Sequence, residues 1–180
     1  MNCKFQKNSN KLKKITNRLE QPVQGERIQL ENSKISFVIP KDWKHNWDSE
    51  NKEMIISPPI LTPPVEFVKV TEKSLNEDEK KLNINDLLVK QKESILNMSP
   101  FPIALTTILG PEEIKLDNLK AGRYIAEANP FGVLLYEGYL GGVKDEENNK
   151  LLFLYSAYIK KKSDAIRPGL DMIIKSAKKI

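Results

Sequence analysis

From Ala104 to Ile159 the chain passes only through strand-like segments, at 104–109, 112–116, 120–128, 133–139 and 151–159, with no helical periodicity between any two of them. When helices do not alternate with strands, a doubly wound parallel sheet is disfavoured and an antiparallel sheet with helices packed on it is favoured. Two polar turns, Asn129 to Gly132 and Asp145 to Asn149, join the last three segments and predict an antiparallel meander. The expected class is α+β, an antiparallel sheet flanked by helices in an α/β/α sandwich.

The remaining segments supply the flanks. Arg27 to Leu30 reads as a short strand, and Lys34 to Ile39 alternates with Ile35, Phe37 and Ile39 on one face; the turn between them falls at Asn32 and Ser33. Pro40, Lys41 and Asp42 end that strand. Met54 to Ser57 and Val65 to Thr71 are further strands, separated by an extended connection in which Pro58, Pro59, Pro63 and Pro64 fix φ and remove donors. Asn76 to Lys81 reads as a charged connection. Asn85 is the expected N-cap of a helix running to about Met98, with Leu88, Ile95 and Leu96 in its apolar stripe, and Ser99 to Pro102 stops it. A closing helix carries Pro168 near its first turn and sets Leu170, Ile173, Ile174 and Ala177 on one face.

Charge divides the chain differently. Lys4, Lys7, Lys11, Lys13, Lys14 and Arg18 fall within the first eighteen positions, where there is no acidic residue, so the net charge of +5 belongs to an arm and the rest is nearly neutral. That distribution argues against a nucleic-acid groove built into the fold, and nucleic acid is not an expected partner. Leu12, Ile15 and Leu19 give the arm a short amphipathic pattern before Pro22. Such a helix suits an anionic membrane surface, or simply covers the domain as a frayed end. The expected division is a basic arm at 1–27 and a folded domain at 28–180. A body of this size buries roughly 70% of its unfolded surface, enough for one core.

Cys3 is the only cysteine, which excludes an internal disulfide, and no Cys/His cluster has zinc spacing; neither metal nor cofactor is expected. The first twenty residues are basic and polar, so as written the chain reads as cytoplasmic. A leader removed upstream would instead place it at the cell envelope or thylakoid, with Cys3 as a lipoprotein remnant.

Candidate chemistry is sparse. The only histidine, His45, stands between Trp43 and Trp47, and neither a nucleophile motif nor a second His completes a site around it. The two tryptophans read as packing anchors or, if exposed, as a partner's contact point, so Trp43, His45 and Trp47 are the candidate partner-binding residues. Glu127 and Glu137 lie in neighbouring predicted strands; two carboxylates meeting there could serve a small hydrolase or lyase in a sheet-lined cleft, the alternative being solvent-face glutamates. Gly138, Gly141 and Gly142 match no phosphate-loop pattern and are expected to mark a bend or bulge.

Ile35-Ser-Phe-Val-Ile-Pro40-Lys-Asp-Trp43, a strand closed by Pro and then Trp, resembles the opening of the PsbP-like and DcrB-like domains of the Mog/PsbP superfamily. Arg123-Tyr124 opening a strand, the tyrosine-rich hairpin after it, and Arg167-Pro168-Gly-Leu170-Asp-Met-Ile173-Ile174-Lys-Ser176 are similar to that superfamily's last meander and closing helix. The resemblance covers roughly residues 28 to 180. It implies a superfamily whose members include an extrinsic photosystem II subunit, envelope lipoproteins and a Ran-binding import factor. For this chain it implies a non-enzymatic domain that binds or helps assemble a protein partner.

Overall fold

The computed structural model describes residues 24–30, 33–98, 103–130 and 132–180. The basic arm from Lys4 to Arg18 lies outside the described residues, as do Asn32 and the segment 99–102.

The meander forms as its turns dictate. β7 (Lys120–Ala128), β8 (Tyr136–Asp145) and β9 (Lys150–Ile159) pair antiparallel in succession. β5 (Phe67–Ser74) joins β9, β4 (Glu53–Ser57) and β3 (Lys44–Asp48) extend that side, and β6 (Leu105–Lys115) closes the other. The result is a seven-stranded antiparallel sheet in the order β3-β4-β5-β9-β8-β7-β6. A second, three-stranded sheet sets β2 (Ile35–Pro40) between β1 (Gly25–Gln29) and β10 (Lys178–Lys179).

Several elements depart from the sequence expectation. β3 was not foreseen, because Trp and His among charged residues carry no two-sided apolar pattern on an edge strand; Trp43 precedes it, and His45 and Trp47 fall within it. The segments 104–109 and 112–116 are one strand, β6, which absorbs Gly110 and Pro111 through register shifts between Thr107 and Glu112. β8 begins at Tyr136, not Val133, and runs straight through its glycines. These mark no bend: a Cβ on Gly141 would meet Ile174 at 2.6 Å and one on Gly142 would meet Ile84 at 3.0 Å, so helices press on both faces of the strand.

The helices shift too. The charged connection after β5 holds one short helix, α1 (Glu77–Lys80), closed by a reciprocal cap between Asn76 and Glu79. α2 (Ile84–Met98) starts ahead of Asn85; its cap is Asn83, whose Oδ1 accepts from the Asp86 N–H at 2.9 Å. α3 (Ser163–Lys175) follows a 3₁₀ turn at Lys160–Lys162, so Pro168 falls in its interior, not its first turn, and Ala177 lies just beyond its end.

Two apolar layers result. On one face Val70, Ile125, Tyr139, Val143, Leu152 and Leu154 pack with Ile166, Leu170, Ile173 and Ile174 of α3 and with Ile35, Phe37 and Ile39 of β2. Meander, closing helix and β2 therefore share one interior. On the other face Tyr124, Leu140, Leu151 and Phe153 lie under Ile84, Leu87 and Leu88 of α2.

A candidate apolar binding site

The first turns of α2 sit tightly on the sheet because two glycines admit them. Cβ atoms at Gly122 and Gly142 would stand 3.2 Å or less from Ile84 or Leu88. One turn further along, the fit opens. Strand register sets Ala126 opposite Gly138 and Gly138 opposite Ala157, so three small residues of β7, β8 and β9 lie side by side. A Cβ at Gly138 would meet nothing nearer than 3.8 Å. The helix bridges this floor without filling it, leaving a cavity of about 340 Å³ roofed by Ile95 and Leu96 and walled by Phe67, Tyr155, Tyr124 and Leu105.

Two of its tyrosine hydroxyls are engaged elsewhere, while Ser156 Oγ, in the same lining, is buried without a hydrogen-bond partner among the described residues. The Tyr124 hydroxyl pairs with Thr107 Oγ1 at 2.6 Å. Tyr155 donates to Glu53 Oε2 at 2.8 Å, and burial together with that carboxylate raises the phenol pKa, so it stays a neutral donor. Among the described residues Lys92 is the only charged side chain lining the space and pairs with no carboxylate; its ammonium stands 5.5 Å from the Tyr124 ring centroid. At the far end Val65, Pro130 and Tyr136 complete the lining, and Val133, Leu134 and Leu135 follow in the connection ahead of β8. This rim is exposed: Val133 to 82% and Val65 to 58%. Beside it Glu66 is buried, accepting from the Thr62 and Ile159 N–H groups, each at 2.9 Å, and from Lys162. Burial alone would raise its pKa, but those donors hold it below the ordinary 4.5.

The predicted carboxylate pair does come together, but on the opposite face. Glu127 and Glu137 are direct partners across β7 and β8, and Lys160 reaches both. Glu137 is fully buried; Tyr158 donates to it at 2.5 Å, and Arg167 donates through Nε at 3.1 Å and Nη2 at 2.5 Å. Both oxygens are occupied, and neither glutamate lines the cavity. A neighbouring network joins Arg123 to Glu112 and Asp171, with the Tyr139 hydroxyl donating to Asp171 at 2.8 Å. Burial works against the Arg123 charge, yet the two carboxylates outweigh it and raise its pKa. Both networks lock α3 to the sheet.

Trp43, His45 and Trp47 share one face of the outermost strand of the large sheet and its approach, all half-buried. Trp43 lies against Gly169 of α3, where no Cβ fits, and beside Pro40; Trp47 packs on the larger apolar layer. His45 is paired in register with Ile56. The structure thus sets the three together, on the side of the sheet away from the cavity. The cavity itself was not foreseen: Ala126, Gly138 and Ala157 lie far apart in sequence, and only register makes them neighbours.

Among the described residues no three His, Cys, Asp or Glu side chains gather as a metal site, and no helix is long and apolar enough to cross a membrane. No protein-family model matches the chain, and no curated protein matches it significantly. Solved structures do match. The cyanobacterial PsbP of Synechocystis sp. PCC 6803 is 11% identical with a TM-score of 0.61, over 89% of this chain and 95% of that one. The Ran-binding protein Mog1p of Saccharomyces cerevisiae is 7% identical with a TM-score of 0.61, over 87% and 96%. LpqN, involved in cell envelope biogenesis of Mycobacterium tuberculosis, is 11% identical with a TM-score of 0.56, over 88% and 92%. The antiparallel α+β architecture of this chain is therefore the fold shared by PsbP and Mog1.

Proposed function

We propose that this chain is a non-catalytic binding domain that docks a protein partner on the aliphatic rim formed by Val65, Val133, Leu134 and Leu135. The observation that carries the reading is the exposure of Val133, to 82%, Leu134 and Leu135 in the connection between Pro130 and Tyr136, which line an apolar cleft together with exposed Val65. Aliphatic groups gathered in water are the composition of an interface centre. The Ran-binding activity named for the yeast protein of the same fold supports a protein as the partner class. The carboxylates that a hydrolase would use are saturated by Arg167, Lys160 and Tyr158 on the other face.

A second contact, along the edge of β3 that no strand covers among the described residues, is favoured by the half-buried Trp43, His45 and Trp47, which leave part of each ring open beside it. The cations of the arm, Lys4, Lys7, Lys11, Lys13, Lys14 and Arg18, suit an added contact with an anionic membrane surface. Affinity capture with the intact chain, with Val133, Leu134 and Leu135 replaced by Ser, and with Trp47→Ala tests the reading. Loss of the captured protein only with the serine variant supports the rim, and loss only with Trp47→Ala moves the site to the β3 edge. Equal capture by all three overturns both.

A further inference from the structure

Beyond the protein contact at the rim, the cleft under α2 has its own chemistry. We propose that it binds a fatty carboxylate, the acyl chain lying over Ala126, Gly138 and Ala157 and the carboxylate meeting Lys92.

The occupant follows from what the walls can satisfy. At about 340 Å³ the space falls within the size range of small-ligand pockets. A peptide segment would bring a backbone N–H and C=O with every residue, more than the unpartnered Ser156 Oγ could pair, since the Tyr124 and Tyr155 hydroxyls already serve Thr107 and Glu53. A hydrocarbon chain makes no such demand. The vacancy also follows from residue choice: Gly138 has room for a side chain and carries none, whereas Gly122 and Gly142 on the same face are small because α2 presses on them. Among the described residues one charge enters the lining, the Lys92 ammonium, held over the Tyr124 ring without a carboxylate partner. An apolar body with one negative end matches that pattern.

Calorimetric titration of the intact chain with decanoate, methyl decanoate and decylamine, below micelle-forming concentrations, tests the proposal. Decanoate should bind roughly tenfold more tightly than the ester, and decylamine more weakly still. Across hexanoate, octanoate and decanoate, affinity should rise roughly fourfold per methylene. Lys92→Met should erase the preference for acid over ester, and Lys92→Glu should turn it toward the amine. Gly138→Leu should abolish binding of every probe while circular dichroism stays native; Ala157→Val, a smaller filling, should weaken it should the leucine variant not fold. Replacing Val133, Leu134 and Leu135 by Ser should leave decanoate affinity unchanged, so loss of the protein partner and loss of the acyl site read out separately. Equal affinity for acid and ester, or full binding by a folded Gly138→Leu chain, overturns the proposal.

Discussion

Gly141 lies beneath Ile174 with no room for a methyl group, while Gly138, three residues back on β8 and on the other face, has no neighbour within 3.8 Å of where its Cβ would stand. The same residue type thus does opposite things on the two faces of one strand. Toward α3 the sheet is filled, and its charged groups are consumed in pairs, Glu137 with Arg167 and Asp171 with Arg123. Toward α2 only the first half of the helix is seated, and the remainder spans a gap whose wall holds one cation, Lys92, without a carboxylate partner among the described residues. A face that holds the fold together is closed in this way; a face that receives something keeps space.

Equilibrium unfolding in urea sharpens that contrast most through matched truncations. Leu154→Ala, on the filled face, should cost about 3.5 kcal/mol, and Leu96→Ala, over the cleft, less than about 1 kcal/mol, because a side chain bordering existing space leaves little new cavity. Equal costs would erase the distinction. Removing a charge should divide the faces next: Arg167→Met strands buried Glu137 and should lower stability by about 3 kcal/mol, while Lys92→Met should shift it by less than about 0.5 kcal/mol. The glycines give a smaller, sign-changing test. Gly141→Val should destabilise by about 2 kcal/mol through overpacking, and Gly138→Val should stabilise by about 0.5 kcal/mol, since valine favours strands and meets open space. A destabilised Gly138→Val chain would show that the gap is smaller than its geometry implies.

Acid supplies the mildest test. Glu66 is held below its ordinary 4.5, so its contribution is complete above that pH and is lost as pH falls toward its folded-state value. Thermal unfolding of the native chain should therefore weaken on acidification below about pH 4.5 more than that of Glu66→Gln, and parallel curves would remove Glu66 from the account.

The filled face was largely legible in the sequence. Ile35, Phe37 and Ile39 alternate, Leu170, Ile173 and Ile174 repeat at helical spacing, and both patterns point inward as expected. The candidate site was not, for a physical reason. A cavity is an absence of side chains, and its floor comes from Ala126, Gly138 and Ala157, small residues with no periodic signature until three strands are aligned. Lys92 looked like any lysine on a helix. The pairing of Glu127 with Glu137 was legible as a possibility, but which face it occupied depended on strand parity, and that was hidden by the uncertain start of β8. β3 escaped notice because an edge strand needs only one apolar side, supplied here by Trp and His.

The small sheet carries a consequence for biosynthesis. β2 hydrogen-bonds on one side to β1 and on the other to β10, and the Ser36–Lys178 contact joins residues separated by 142 positions. A ribosome making this chain would hold β2 with one side unpaired until Lys178 and Lys179, which cover it, had also been made. Over the synthesis of those intervening residues, then, the nascent polypeptide presents an open strand edge to whatever chaperones attend it.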